Sequence, residues 1–177
     1  MKFPHKLICI DIETTDSNPD TGSVIQLSAI VVDENFEIMH AREFNEFVRP
    51  LDSYRNPKAM EVNKISEETL NTAMSLYEVA ELFDSFCDGE RFLASWGSYF
   101  DAPFLKKQYE KIHRSWPYSY RIFDLKSAAI WEMAKKDKPL TSGVSKFLSA
   151  LNKKFEGTQH NALDDIKNSV NILKCLK

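Results

Sequence analysis

Residues 7–13, Leu7-Ile8-Cys9-Ile10-Asp11-Ile12-Glu13, decide how the rest of the chain is read. The run is apolar, rich in β-branched residues and stopped by the turn-forming stretch Thr14-Thr15-Asp16-Ser17-Asn18-Pro19-Asp20, which predicts a strand. Successive strand side chains alternate between faces, so Ile8, Ile10 and Ile12 share one face and Cys9, Asp11 and Glu13 the other. Two carboxylates side by side at the end of a buried strand are costly unless a cation or a proton compensates them. An edge strand with its polar face in water would avoid that cost. This stretch alone leaves both readings open.

Working outward, residues 23–33 read as a second strand, and residues 36–40 with 43–48 as a third. Short connections between the three predict an antiparallel meander. Residues 50–57 read as loop and 58–64 as a short helix. Ser66 and Ser75 look like helix starts, the second with a Ser-x-x-Glu capping box. Leu76, Val79, Ala80, Phe83 and Phe86 form an apolar stripe at helical spacing, with Gly89 as the stop. A fourth strand is expected over 91–96, a helix opening at Asp101-Ala102-Pro103, a fifth strand over 120–124, and helices near 127–135, 141–151 and 162–176. This later alternation of strand and helix predicts parallel pairing. The expected fold is α/β, a mixed five-stranded sheet made of the meander plus two parallel strands and flanked by helices. Ligand crevices of such sheets lie past the carboxyl ends of central strands; Glu13 sits at one such end and Asp101 follows another.

The length predicts a single domain over residues 1–177 with a core of useful size. A net charge of −3, from 23 basic and 26 acidic residues, argues against coating long nucleic acid by general electrostatics but not against gripping one end. No stretch is long and apolar enough to span a membrane, and the N-terminal apolar run, interrupted by Asp11, is too short for a signal peptide. Cys9, Cys87 and Cys175 are far apart with no Cys-x-x-Cys pair. They predict reduced thiols in a cytoplasmic protein rather than a disulfide frame or a zinc site.

The last helix carries an anomaly. At roughly 100° per residue, Ala162, Ile166, Ser169, Val170, Leu173 and Leu176 share one face, and Asp165 falls inside that apolar sector. Asp164 points the other way. A favourable macrodipole explains acids at a helix N-terminus, but a carboxylate facing the core still needs a partner. His160 stands in the preceding loop, free to swing toward Asp165, although a lone loop histidine is usually plain surface. Asp101 is equally well placed as a helix N-cap, and Asp124 reads as a structural cap.

Three segments line up in order: Asp11-Ile12-Glu13-Thr14-Thr15, Ser95-Trp96-Gly97-Ser98-Tyr99-Phe100-Asp101 and His160-Asn161-Ala162-Leu163-Asp164-Asp165. Together they resemble the three exonuclease motifs of the DnaQ-like DEDD superfamily of 3′–5′ exonucleases, over nearly the whole chain, and the resemblance implies a ribonuclease H-like fold. His160, five residues before Asp165, places the resemblance in the DEDDh branch; the tyrosine branch would put Tyr at Asn161. The second motif departs from the commonest pattern, with Gly97 and Ser98 where an Asn usually stands. Its Trp-Gly pair is similar to the subgroup of histone-mRNA and short-RNA exonucleases, with a spacing one residue longer.

The resemblance implies hydrolysis of the terminal phosphodiester at the 3′ end of single-stranded RNA or DNA, releasing nucleoside 5′-monophosphates. Asp11, Glu13, Asp101 and Asp165 would hold two divalent cations, Mg²⁺ or Mn²⁺, which favour hard oxygen ligands. By the same resemblance Asp11 bridges both ions, Glu13 and Asp165 serve the ion on the nucleophile side, and Asp101 serves the other. His160 would be the general base, work that suits an unperturbed pKa of about 6.5. Thr14 and Thr15 would meet the terminal nucleotide, partly through backbone groups, and Phe100 would stack on a base unless it is a core aromatic. The lysine-rich stretches at Lys106–Arg114, Lys135–Lys138 and Lys153–Lys154 could track phosphates or be solvated helix faces. Three alternatives remain at this level: a proofreading-type DNA exonuclease subunit, another metal-dependent phosphodiesterase, and a catalytically silent nucleic-acid-binding module. The intact set of acids plus His160 speaks against the last, because clustered anions repel a polyanion. No residue recognisably reads the 2′-hydroxyl that separates RNA from DNA.

Overall fold

The computed structural model describes residues 3–176. Its strands are β1 (Leu7–Thr14), β2 (Val24–Val32), β3 (Ile38–Arg49), β4 (Met74–Ser75), β5 (Leu93–Ser95) and β6 (Phe123–Asp124). Its helices are α1 (Pro57–Asn63), α2 (Glu67–Thr72), α3 (Leu76–Cys87), α4 (Asp101–Lys111), α5 (Leu125–Lys135), α6 (Val144–Ala150) and α7 (Ala162–Leu176). They build a mixed sheet in the order β4-β3-β2-β1-β5-β6, the ribonuclease H-like arrangement of strands and flanking helices.

β1 to β3 form the expected antiparallel meander, and β5 and β6 add to β1 in parallel. Among the described residues the sheet has six strands rather than five. The extra one, β4, pairs in parallel with the end of β3 through Val48 and Arg49. Two residues carry no readable alternation, and Ser75 is also the N-cap of α3, so this strand is hidden inside a helix start. Ser75 and Glu78 make the reciprocal capping box there. β5 and β6 are shorter than the apolar runs that suggested them, because only two residues of each pair with a given neighbour before the chain turns away.

β1 is central and its alternation sorts the two cores. Ile8, Ile10 and Ile12 pack with Val79, Phe83, Leu105 and Tyr109 under α3 and α4. Leu7 and Cys9 pack on the other face with Ala129, Phe147, Ile166 and Val170 of α5, α6 and α7. Burying one such side chain contributes roughly 1.5–3 kcal/mol, so a slip of one residue in β1 would exchange the two sets and is strongly disfavoured. The register is Asp11 opposite Ser28 and Glu13 opposite Gln26. It carries both carboxylates to the face covered by α7, beyond the apolar part of that face.

On the α3–α4 side, Asp84 accepts from Tyr109, Tyr118 and Arg114, tying the two helices to the 114–118 loop. Much of the basic stretch on and just after α4 is committed to internal pairs: Lys107 with Asp20, Lys111 with Asp52, Arg114 with Asp84. Among the described residues no helix is long and apolar enough to cross a membrane.

Candidate active site

Four carboxylates from three distant parts of the chain meet at the end of β1. Asp11 and Glu13 come from the strand itself and are partly buried. Asp101 comes from the start of α4 and is only 4% exposed. Asp165 comes from the first turn of α7. Both helix starts bring positive dipole ends to the cluster, which offsets part of its charge.

Asp101 is not the N-cap of α4. The cap position is Phe100, with no side-chain cap hydrogen bond, and Asp101 is the first helical residue. Capping therefore does not account for this buried acid. Its loop is held from the neighbouring strand: Asp124, at the end of β6, accepts from the backbone N–H and the hydroxyl of Ser98 while also capping α5 through the Ser127 N–H.

Asp165 is fixed by the loop before it. Its Oδ2 accepts the backbone N–H of His160 at 2.8 Å. Asn161 accepts the Asp164 N–H, and Asp164 in turn accepts the Thr158 N–H at 2.9 Å. Asp164, expected to face water, thus clasps this loop. Gly157 makes room for it: a Cβ there would lie 2.4 Å from the Asp164 carboxylate, at a φ of +86°. His160 adopts a left-handed φ of 63° and is exposed, with its ring toward the cluster. Ligand atoms of Glu13, His160 and Asp165 all lie within 4.8 Å of one another.

The crowding of acids shows in their protonation. Burial, then the charges of Asp101, Glu13 and Asp165, hold the Asp11 carboxyl well above the usual range. Burial and the nearby Asp165 and Asp101 push Glu13 up to about 8. Burial pushes Asp101 up to about 7 and also raises Asp165, where the His160 N–H acts in the opposite direction. No Lys or Arg side chain is ion-paired with any of the four among the described residues. A set of oxygen donors that resists ionisation together and has no protein cation fits hard divalent cations.

Two clefts flank the cluster. One, of about 400 Å³, is lined by Ile12, Glu13, Thr14, Ala59, Val62 and Phe100, with Asn56 and Lys58 at its polar side. The other, of about 340 Å³, is lined by Asp11, Trp96, Lys146, His160 and Asp165, with Ser142 and Ser145 across from them. Phe100 is partly buried and packs tilted on Phe104 at 5.5 Å, leaving part of its ring in the first cleft. Thr14 lines that cleft, but Thr15 does not. Thr15 is buried, its hydroxyl accepts from the Ser23 N–H, and its own N–H and C=O are bonded to Ser23 and Asn56. It holds the turn after β1 and is not placed to meet a substrate. Trp96, Lys58 and Lys146 line the clefts without having been singled out as ligand contacts from sequence; an unpaired lysine on a short helix gives no pattern to find.

The exonuclease family model (RNase_T) matches residues 8–173. The chain belongs to this exonuclease family. The matched span runs across all three sequence motifs, from Asp11 to Asp165 with His160 between them, and membership implies divalent metal ions. Among curated proteins, a DNA polymerase III PolC-type from Mycoplasma genitalium is 32% identical over 105 residues, 59% of this chain and 7% of its own length. This chain therefore spans a small part of that relative. Among solved structures, the nuclease domain of 3′hExo, a DEDDh family member bound to rAMP, superposes with a TM-score of 0.77 at 19% identity, covering 94% of this chain and 88% of that one. E. coli Exonuclease I in complex with a 5cy-dA13 oligonucleotide gives 0.81 at 18% identity, covering 98% and 40%. At these identities the two structures establish the fold.

Proposed function

We propose that this protein removes nucleoside 5′-monophosphates one at a time from the 3′ end of single-stranded RNA or DNA. The observation that carries the reading is the convergence of Asp11, Glu13, Asp101 and Asp165, with raised protonation and no protein cation, beside an exposed histidine. The four acids would hold two divalent ions, Mg²⁺ or Mn²⁺. Bound there, such ions supply a Lewis acid for the phosphoryl oxygens and lower the pKa of a coordinated water. His160 accepts the proton of the attacking water on its ring. Asp165 holds the His160 backbone in place while serving as a ligand. The apolar first cleft receives the terminal base against Ile12, Val62 and Phe100, since stacking and apolar contact require no particular base. Residues 1–177 then act as a single exonuclease domain.

Single-stranded ends as substrate are supported by the neighbours, one solved with rAMP and one with an oligonucleotide. A second reading, a proofreading-type DNA exonuclease, is favoured by the PolC-type relatives. Both are tested by incubating the protein with 5′-labelled single-stranded RNA and DNA in Mg²⁺, Mn²⁺ or chelator. A ladder shortening from the 3′ end and abolished by chelator is expected. Preference for the DNA strand would favour the second reading, and binding without shortening in either metal would leave only a silent binding module.

A further inference from the structure

The two clefts beside the carboxylates are lined by different side chains. The one at Glu13 has an apolar floor of Ile12, Ala59, Val62 and Phe100, suited to a flat base. The one at Asp11, His160 and Asp165 is bounded by those three side chains, by Trp96 and by Ser142 and Ser145, and Lys146 on α6 is the lysine among its lining residues. A strand cut at the cluster, with its terminal nucleoside against Ile12, Val62 and Phe100 in the first cleft, leaves through the second. Its next phosphate then lies beyond the acids and the ions they would hold, and needs a cation of its own along that path.

Lys146 is available for that work. It is exposed and has no carboxylate within 4.0 Å among the described residues, whereas Lys107, Lys111 and Arg114 are all ion-paired. It is also held in place. Its neighbour Phe147 is fully buried and packs edge-on against Trp96, with ring centroids 5.0 Å apart. Trp96 lines the same cleft and belongs to the segment that delivers Asp101. The backbone under Lys146 is thereby fixed relative to the acids, and its four-carbon stem is free to reach a passing anion.

We propose that Lys146 contacts the phosphodiester immediately 5′ of the scissile bond and so sets how the enzyme grips the strand it is shortening. The inference rests on the exonuclease reading and fixes the direction in which the strand crosses the site.

The test pairs a protein change with a substrate change at constant length. A pentanucleotide is compared with one whose second linkage from the 3′ end is a neutral methylphosphonate, and removal of the terminal nucleotide is timed in a single turnover. On the natural strand Lys146→Ala is expected to lose about tenfold in kcat/KM, the scale of one hydrogen bond to a charged group, and Lys146→Arg to recover most of it. Wild type is expected to lose a similar factor on the methylphosphonate strand, where Lys146→Ala loses nothing further. The salt dependence of kcat/KM is expected to weaken in Lys146→Ala by about one phosphate contact. Equal, independent losses from the two changes would overturn the contact. So would the same interdependence in Lys58→Ala but not in Lys146→Ala, which would mean that the strand runs the other way. A wild-type protein inactive on the natural strand in both metals would overturn the exonuclease reading and this contact with it.

Discussion

Asp124 holds Ser98 twice with one oxygen: Oδ2 accepts the Ser98 backbone N–H at 2.9 Å and its hydroxyl at 3.0 Å. The other oxygen accepts the Ser127 N–H at 2.7 Å and caps α5. A residue at the end of β6 thus fixes the turn that places Asp101, three positions after Ser98. Asp124→Ala is expected to cost about 1 kcal/mol of stability through the lost cap. It is also expected to raise severalfold the Mg²⁺ or Mn²⁺ concentration needed for half-maximal activity, with the KM for the strand little changed. A lower Tm with an unchanged metal requirement would reduce Asp124 to a cap alone.

His160 is expected to carry proton transfer. His160→Ala should lower turnover by 10²- to 10⁴-fold, the usual range for a general base, while calorimetry finds cation affinity nearly intact. Because the His160 ring also lies among possible ligand atoms, the two measurements are needed together. A collapse in cation affinity that tracks the loss of turnover would make His160 a ligand instead.

Gly157→Ala tests the loop that carries the histidine. The added methyl collides with the Asp164 carboxylate at a backbone angle that L residues rarely adopt, a strain of about 1–3 kcal/mol. The loop is expected to shift to relieve it, releasing the Thr158–Asp164 bond. Reduced turnover with a modest fall in Tm is the expected result, and full activity would show that the loop accommodates the methyl without moving His160.

The acids also predict a dependence of stability on pH. Without cation, Glu13 titrates near 8 and Asp101 near 7 in the folded chain, against ordinary values of 4.5 and 3.8. Between the ordinary and raised values the folded chain holds protons that the unfolded chain has released. Stability contributed by these groups therefore falls as pH rises through that window and levels off above it. In chelator, the Tm of Glu13→Gln is expected to gain on that of wild type from about pH 5 to about pH 8. Excess Mg²⁺ or Mn²⁺ should shrink the difference. A gap that stays constant with pH would mean that Glu13 ionises freely in the fold.

The parts of this design with a period are the parts legible in the sequence. Alternation in residues 7–13 puts Asp11 and Glu13 on one face, and helical spacing puts Asp165 in an apolar sector. The structure brings both sets together with Asp101. What is not legible depends on closure between distant loops. β4 is two residues long and merges with a helix cap. Thr15 follows the acids as closely as Thr14 does, yet its hydrogen bonds to Ser23 and Asn56 turn it inward. The Asp124–Ser98 clasp spans 26 residues, and Asp124 looks locally like any helix cap, which it also is. The basic run over residues 106–114 shows the limit of reading charge from sequence, since its partners Asp20, Asp52 and Asp84 come from elsewhere in the chain.

The bond from the His160 backbone to Asp165 has a last consequence. One carboxylate faces both the loop and the ligand atoms of Glu13 and the His160 ring, so any displacement of residues 157–161 shifts an acid of the cluster together with the histidine.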